Sequence, residues 1–237
     1  GCFAGAGLFS ILAKLGLGIS QIAIIHCIII FMIIFAFSRY FLPYKGASNG
    51  KAIAIPKGIV TLFGVLAVIS FLGEGGMMDW SGVFLTEAKG VDLSLAGVGY
   101  AVFSAAMLIG RLIGDKVVQK LGEQRVVIFG GIVASIGYII SIVFDNFFMM
   151  QFGFILLGFG AANIVPVVFT LLGRQKEMPI NSAVTAVTSM GYLGVMFGPA
   201  LLGFIAHGIG IVTVFCILAG LFILQAIVSS YVFKVLN

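Results

Sequence analysis

The sequence predicts an all-α protein that crosses a membrane several times. Its mean hydropathy is +1.24. Hydrophobic residues make up 61% of its 237 residues, and charged residues only 9%. Soluble domains carry about 25% charged residues, so this chain has too few charges to cover a water-facing surface. The composition therefore argues against a soluble enzyme or binding module, and also against a disordered chain, which needs low hydrophobicity.

Eight apolar runs are long enough to span a bilayer, which takes about 20 mainly apolar residues. Helices are expected because backbone groups in lipid must bond within their own segment, and the alternation typical of barrel strands is absent from runs such as 22–34. The predicted spans are 2–19, 22–42, 58–86, 94–113, 126–145, 147–172, 181–206 and 209–233.

The charged residues between these runs predict the topology. Alternate gaps collect 11 of the 13 lysines and arginines, whereas the opposite side has only Lys89, with Glu87, Asp92 and Asp145. The positive-inside rule places the basic side in the cytoplasm, so both ends of this chain are expected there and the location is the cell (inner) membrane. The bases on the cytoplasmic side are Arg39, Lys45, Lys51, Lys57, Arg111, Lys116, Lys120, Arg125, Arg174, Lys176 and Lys234.

The same distribution favours membrane orientation, and not nucleic-acid binding, as the reason for the net charge of +5. A nucleic-acid protein would carry its bases as a stripe on a polar face. Cys2, Cys27 and Cys216 lie in apolar runs without metal-ligand spacing, so we expect neither a disulfide nor a metal site. Motifs for catalysis or cofactor binding are also absent, which indicates a protein that is not an enzyme and uses no cofactor.

The start of the chain lacks a methionine, and Gly1 opens directly into an apolar run without a signal-peptide pattern. We expect that the sequence begins inside a longer protein. The longest hydrophilic gap, 43–57, separates two predicted helices from six. This division is natural for a twelve-helix transporter without its first four helices.

Four stretches carry a family resemblance. Gly110-Arg111-Leu112-Ile113-Gly114-Asp115-Lys116, followed by bases up to Arg125, resembles the cytoplasmic loop signature of the major facilitator superfamily. The other three are similar to the seventh, tenth and eleventh helices of its fucose-permease-like members. They are Glu74 to Ser81, Gly158 to Pro166, and Gly191 to Gly203.

This resemblance implies two six-helix bundles around a central cavity, with the substrate near the membrane midplane. Residues 1–42 would be the last two helices of the N-terminal bundle, 43–57 a cytoplasmic central loop, and 58–237 the C-terminal bundle. The missing N-terminal helices would then be a necessary partner. The seventh and tenth helices are expected to line the cavity.

Glu74 is the one carboxylate deep inside a predicted span, about 24 Å along its helix. A buried carboxylate is costly unless it is protonated, paired or hydrated. We interpret Glu74 as a cavity acid that binds substrate or carries a coupling proton. The alternative is a carboxyl group that satisfies backbone groups where the helix bends or unwinds at Gly73, Gly75 and Gly76.

The remaining candidate site residues each have a structural alternative. Asp79 and Trp80 lie further out, where Asp79 would either belong to the substrate or proton site or act as an outer gate or helix cap. Trp80 would stack on a sugar or anchor at the interface. Asn163 would either bind substrate or donate a hydrogen bond to the backbone carbonyl that Pro166 leaves without its helical partner. Tyr192 and Gln225 would bind substrate or hold helices together.

The predicted cytoplasmic loop is expected to act as a gate, with Gly110, Arg111, Gly114, Asp115 and Arg125 as its residues. A carboxylate there can pair with an arginine or cap a helix in one conformation and release it in the other. A solvated loop whose bases only set the topology is the alternative.

Together these observations predict a secondary transporter that moves a small polar solute by alternating access with proton coupling. The resemblance suggests a sugar as that solute. We expect no transport by this fragment alone. A non-transporting membrane receptor or scaffold with the same fold is the alternative function.

Overall fold

The computed structural model of the chain describes residues 8, 12, 15–40 and 54–236. The chain forms two compact units, 1–49 and 50–237, and each is described by itself. In the first unit, helix α1 spans Ile19–Phe37 and is followed by a 3-10 turn at Ser38–Tyr40. Most of the predicted span 2–19, together with Lys14, Lys45 and Lys51, lies outside the described residues.

The second unit is helical throughout its described length. A π-turn at Phe84–Ala88 extends its first helix, and a 3-10 turn at Leu93–Leu95 precedes its second. Its helices are α2 (Ile59–Val83), α3 (Val98–Leu112), α4 (Gly114–Leu121), α5 (Glu123–Val143), α6 (Phe147–Ala161), α7 (Ile164–Leu172), α8 (Ile180–Ile209) and α9 (Ile211–Leu236).

Seven helical segments within the described residues are long and apolar enough to cross a membrane. They match the seven predicted spans from 22–42 onward to within a few residues, and the described residues contain no strand. An all-α polytopic membrane protein is therefore confirmed. Most of the remaining predicted span, 2–19, lies outside the residues that the structure describes.

Helix α2 is the centre of the second unit. It packs against α8 and α9 along much of its length and also contacts α3 and α7, while α5 packs between α6 and α9. The core contains large side chains from these helices, including Phe63, Phe154, Phe215 and Phe222. The ring of Phe215 stacks on Phe84 at a centroid distance of 4.0 Å, which joins α9 to the π-turn at the C-terminal end of α2.

Helices α5 and α6 approach each other closely because small residues line their interface. A Cβ on Gly137 would lie 2.5 Å from the carbonyl oxygen of Gly153, and one on Gly160 would lie 2.5 Å from the backbone nitrogen of Ala134. Such contacts leave no space for a side chain. Small residues of this kind are how membrane helices bring their backbones together.

The glycines around Glu74 do not unwind the helix, which does not favour the alternative interpretation of Glu74. Helix α2 is continuous from Ile59 to Val83. A Cβ on Gly73 would meet the ring of Phe222, and one on Gly76 would meet Leu218, both on α9. These two glycines are therefore needed for close packing of α2 against α9, and a bend is not required to explain them.

Polar contacts fix the turns at both ends of the unit. At one end, Lys89 Nζ bonds the Ile142 carbonyl and Asp145 Oδ1, both at 2.6 Å. Asp92 accepts bonds from the backbone and hydroxyl of Ser94, and these bonds lower the pKa of the Asp92 carboxyl. Asp145, which the sequence places in the turn between α5 and α6, therefore pairs with a lysine of the turn between α2 and α3.

At the other end, Arg174 Nη2 pairs with Glu123 Oε1 at 2.8 Å. The Glu177 carboxylate accepts the backbone N–H of Ile59 at 3.2 Å and so caps α2 from the loop before α8. These two contacts join the ends of α2, α5 and α7. The turn between α4 and α5 is made by Gly122, whose φ of 81° suits glycine.

Candidate functional site

Glu74 forms an ion pair with Arg111 inside the helical unit. Glu74 lies near the middle of the 30-residue span Ile59–Ala88. Arg111 Nη2 lies 3.3 Å from its Oε2 and 3.4 Å from its Oε1. The Glu74 side chain is 21% exposed and that of Arg111 46% exposed. The pair links α2 to α3 at a depth where charged side chains are rare and usually functional.

A break in the helix pair α6–α7 provides the third side of this site. Helix α6 ends at Ala161 and α7 begins at Ile164. Pro166 has no N–H to donate to the residue four positions earlier, which is Ala162. Arg111 Nε lies 3.4 Å from that Ala162 carbonyl oxygen. Arg111 therefore contacts both the carboxylate of α2 and the backbone group that the proline frees.

Asn163 sits in the same break but has a different partner from the one the sequence suggests. Its Nδ2 donates to the Gly110 carbonyl on α3 at 3.0 Å. The Ala162 carbonyl oxygen instead accepts from Arg111 Nε. Asn163 thus bonds the break between α6 and α7 to the backbone of α3, directly beside Arg111.

Two glycines allow α3 and the break to come this close. A Cβ on Gly110 would lie 2.7 Å from Ala162 Cβ, and one on Gly114 would overlap the Asn163 side chain. The glycines of the predicted loop signature therefore lie at a helix–helix contact. We call the group formed by Glu74, Gly110, Arg111, Ala162 and Asn163 the polar junction.

The predicted cytoplasmic loop at 110–125 is largely helical, which corrects the description of that segment as a loop. Helix α3 continues into α4 with only a local irregularity at Ile113, because Val117 N–H still bonds the Ile113 carbonyl. The chain turns at Gly122. Arg111 is therefore about 17 Å from that turn along α3 and α4, at 1.5 Å per residue, and it lies within the span Leu93–Leu112.

The other members of the predicted gate are exposed. Asp115 lies on α4 and Arg125 on α5, and neither forms an ion pair or hydrogen bond with the residues that the structure describes. The structure thus divides the predicted gate into two groups. Gly110, Arg111 and Gly114 belong to the polar junction or border it. Asp115 and Arg125 lie outside it.

Asp79 and Trp80 lie further along α2 and outside the polar junction. Asp79 is exposed. The Trp80 ring is partly buried and lies where a Cβ on Gly203 of α8 would contact it at 3.0 Å. Its Nε1 is buried without a hydrogen-bond partner among the described residues. Trp80 therefore packs one end of α2 against α8.

Tyr192 and Gln225 occupy opposite environments. Tyr192 is 64% exposed on α8 and its ring is 6.1 Å from that of Phe71. Gln225 is fully buried on α9, and both polar atoms of its side chain lack a partner within the described part of the chain. Tyr192 therefore lies on the surface of the bundle, and Gln225 is enclosed within it.

The sequence-based interpretation missed Tyr138 on α5. Its hydroxyl is buried and donates to the carbonyl of Gly73 at 2.9 Å, the residue before Glu74. In the sequence, Tyr138 is visible only as a tyrosine within an apolar run. Such a residue does not by itself indicate a functional site, because aromatic residues also fill cores. Tyr138 holds the backbone of α2 at the level of the polar junction.

Comparison with known proteins assigns the family. The family model described as Major Facilitator Superfamily matches residues 63–236. An uncharacterized MFS-type transporter of Yersinia pestis is 42% identical over 210 residues, which cover 87% of this chain and 54% of that protein. The membrane protein MosC of Rhizobium meliloti is 30% identical over 150 residues, covering 63% of this chain and 37% of MosC.

A solved structure has a similar fold. The POT family transporter PepTSo aligns with a TM-score of 0.63 at 16% identity over 76% of this chain and 38% of PepTSo. The chain thus spans about half, or less, of the length of the relatives it matches. The expectation that it is not an enzyme is confirmed, since the matching family is one of transporters. The family model covers most of the chain, and the chain therefore belongs to the major facilitator superfamily.

Proposed function

We propose that the protein containing this chain is a secondary transporter that moves a small polar solute across the membrane by alternating access, driven by protons. The observation that carries this proposal is the ion pair between Glu74 and Arg111, which joins two helices within the span. Charges at this depth are costly unless they are paired or hydrated, and they commonly mark solute or proton pathways.

Glu74 is our proposed proton carrier. Its ionic partner is Arg111, at contacts of 3.3 and 3.4 Å. Protonation would neutralise the carboxylate and remove the attraction that links α2 to α3. Other titratable side chains lie on the same elements, and the experiment below separates Glu74 from them. They are Asp79 on α2, Tyr100 on α3, Asp115, Lys116 and Lys120 on α4, and Glu123, Arg125 and Tyr138 on α5.

We place the solute site at the polar junction, where the Arg111 side chain is 46% exposed, and we propose that missing N-terminal helices of a longer protein complete the transporter. The partial coverage of the relatives supports this arrangement. Asn163 and Tyr192 are candidate solute ligands, with Asp79, Trp80 and Gln225 as further candidates. Asp115 and Arg125 remain the proposed gate, and a sugar remains the solute suggested by the fucose-permease-like resemblance.

We also propose that the protein lies in the inner membrane with the Arg174–Glu123 end in the cytoplasm. The distribution of lysines and arginines supports this orientation. The Lys89–Asp145 pair would then lie at the outer face. Reporter fusions before Gly122 and after Asp145 should be active on opposite sides of the membrane.

The test is solute uptake by the full-length protein in liposomes that contain a pH indicator. With a proton gradient directed inward, we expect one member of a panel of sugars and small metabolites to enter together with protons. Glu74→Gln should lower the dependence of uptake on the proton gradient at least about tenfold, a change equal to about 1.4 kcal/mol, because this side chain can no longer take up a proton.

Glu123→Gln is the matched control, since it removes a carboxylate that pairs with an arginine at the end of the unit. Uptake by this control should still depend on the gradient. If Glu74→Gln kept the full dependence, the proton role would be wrong. Solutes that bind the full-length protein without being taken up would instead favour a receptor or scaffold.

A further inference from the structure

The guanidinium of Arg111 is only partly used by its neighbours. Its Nε contacts the Ala162 carbonyl, and its Nη2 alone contacts both oxygens of Glu74. No hydrogen bond from Nη1 is found to any residue that the structure describes. Arginine can bind a carboxylate through two nitrogens, each bonded to one oxygen. Glu74 does not use this mode, because a single nitrogen of Arg111 faces both of its oxygens.

The contacts that Arg111 does make are long. Charge-assisted bonds between nitrogen and oxygen are usually about 2.7–2.9 Å, whereas those of Arg111 are 3.3–3.4 Å. The pair between Arg174 and Glu123 in the same molecule measures 2.8 Å. The Glu74 pair is thus loose by comparison, and a stronger ligand could replace Glu74 on Arg111.

The free edge of Arg111 also has access to a ligand. Its side chain is 46% exposed, although it lies within the membrane-spanning part of the unit. An arginine turned towards lipid is costly, and such residues almost always face a bundle interior or a water-filled cavity. Asn163 bonds the carbonyl of Gly110, the residue before Arg111, and so holds the backbone of α3 in place at Arg111.

We propose that the transported solute is an organic acid whose carboxylate binds the Nη1–Nη2 edge of Arg111. This inference rests on the proposed transport function and names its substrate class. It replaces the neutral sugar suggested by resemblance with a carboxylate, since a guanidinium fork matches the two oxygens of that group. The solute carboxylate competes with Glu74 for Arg111, and the displaced Glu74 then takes the coupling proton.

The experiment measures thermal stabilisation of the purified full-length protein by matched acid and neutral compounds. The pairs are acetate with acetamide, lactate with lactamide, and gluconate with glucose. We expect at least one acid to raise the Tm while its neutral counterpart at the same concentration does not. Arg111→Gln should abolish the shift, and Arg111→Lys should keep a smaller one because lysine retains the charge without the fork.

Two further variants make the test specific. Arg174→Gln removes the other arginine that pairs with a glutamate and should keep the shift produced by the acid. Glu74→Gln should enlarge this shift, because it removes the competing carboxylate. This last result is not expected if Arg111 only stabilises the fold.

The inference is overturned if neutral compounds stabilise the protein as well as the acids, or if Arg111→Gln keeps the response. It is also overturned if no acid in the panel has an effect or if inorganic phosphate alone does. Transport itself is measured separately by the uptake assay. Proton-driven uptake of a neutral solute would therefore reject the acid while leaving the proposed function intact.

Discussion

Side chains in this protein often satisfy backbone carbonyls of neighbouring helices. Tyr138 bonds the Gly73 carbonyl at 2.9 Å, Ser135 bonds that of Ala219 at 2.9 Å, and Arg111 contacts that of Ala162. These bonds cross between helices, and those of Tyr138 and Ser135 are buried, so they fix how the helices are rotated against each other. Tyr138 acts on the residue next to Glu74 and therefore positions the polar junction.

Replacing Tyr138 with phenylalanine should weaken the fold slightly. Interhelical hydrogen bonds in membranes contribute about 0.6 kcal/mol on average, so we expect Tyr138→Phe to lower the free energy of unfolding by about that amount. The Gly73 carbonyl stays within a continuous helix, which limits the loss. Denaturant unfolding of the full-length protein in detergent measures the change.

Tyr192→Phe provides the control for this prediction, since the Tyr192 side chain is 64% exposed and no hydrogen bond of its hydroxyl is found within the described residues. Its free energy of unfolding should equal that of the parent protein. Equal losses in both variants would show that the buried Tyr138 bond does not stabilise the bundle.

Residue patterns alone can identify Glu74 but not its partner. Glu74 stands out because it is an acid within a long apolar run, and hydropathy detects this directly. The pattern places Arg111 in a loop because basic residues follow it, and hydropathy cannot distinguish a loop from a helix that carries charges on its cavity side. The contact of Arg111 with Ala162 also depends on a helix break far along the chain, between α6 and α7.

At the scale of elements, glycine placement decides which helices touch. The α5–α6 contact brings backbones together at Gly137 and Gly153, and a Cβ on either glycine would lie within about 2.6 Å of the other's carbonyl oxygen. The α2–α9 contact instead places Phe222 and Leu218 over Gly73 and Gly76. Such contacts fix where polar residues on one helix, such as Glu74 on α2, lie relative to the neighbouring helices.

A methyl group at the α5–α6 contact should be poorly tolerated. Overpacking of a filled interior costs about 1–3 kcal/mol, and we expect Gly137→Ala to lower the free energy of unfolding within that range. Backbone atoms of Gly153 and Leu157 surround the added methyl, so side-chain rotation cannot make room for it. Chemical unfolding in detergent provides the measurement.

Gly220→Ala on α9 is the matched substitution, because a Cβ at Gly220 has no neighbour within 4 Å. It should be neutral or slightly stabilising, since alanine favours helix. A loss in Gly220→Ala as large as that in Gly137→Ala would contradict the packing explanation.

Helix positions can be predicted well from hydropathy, and helix interruptions cannot. Predicted and observed spans agree for the seven described segments because lipid requires long apolar helices. The unwinding at Glu74 that the alternative interpretation assumes is absent, and Gly73 and Gly76 serve packing instead. The extension of α3 into α4 escapes prediction because Gly114 and the charges after it resemble a turn in a one-dimensional pattern.

At the scale of the whole molecule, we propose that the described second unit is one half of a transporter. Its six membrane-length segments include α2, which contacts α3, α7, α8 and α9, and the polar junction lies between α2, α3 and the break between α6 and α7. In the proposed mechanism, solute binding and protonation alter the same contact between α2 and α3. One local exchange of partners at Arg111 is then linked to movement of the whole bundle.

The central claim is that Glu74 takes up a proton when solute binds at Arg111. The most direct measurement is the number of protons bound per solute by the purified full-length protein in a weakly buffered solution. The account predicts about one proton per bound solute, and none in Glu74→Gln although that variant still binds. Solute binding without proton uptake, or equal proton uptake by Glu74→Gln, would contradict the account.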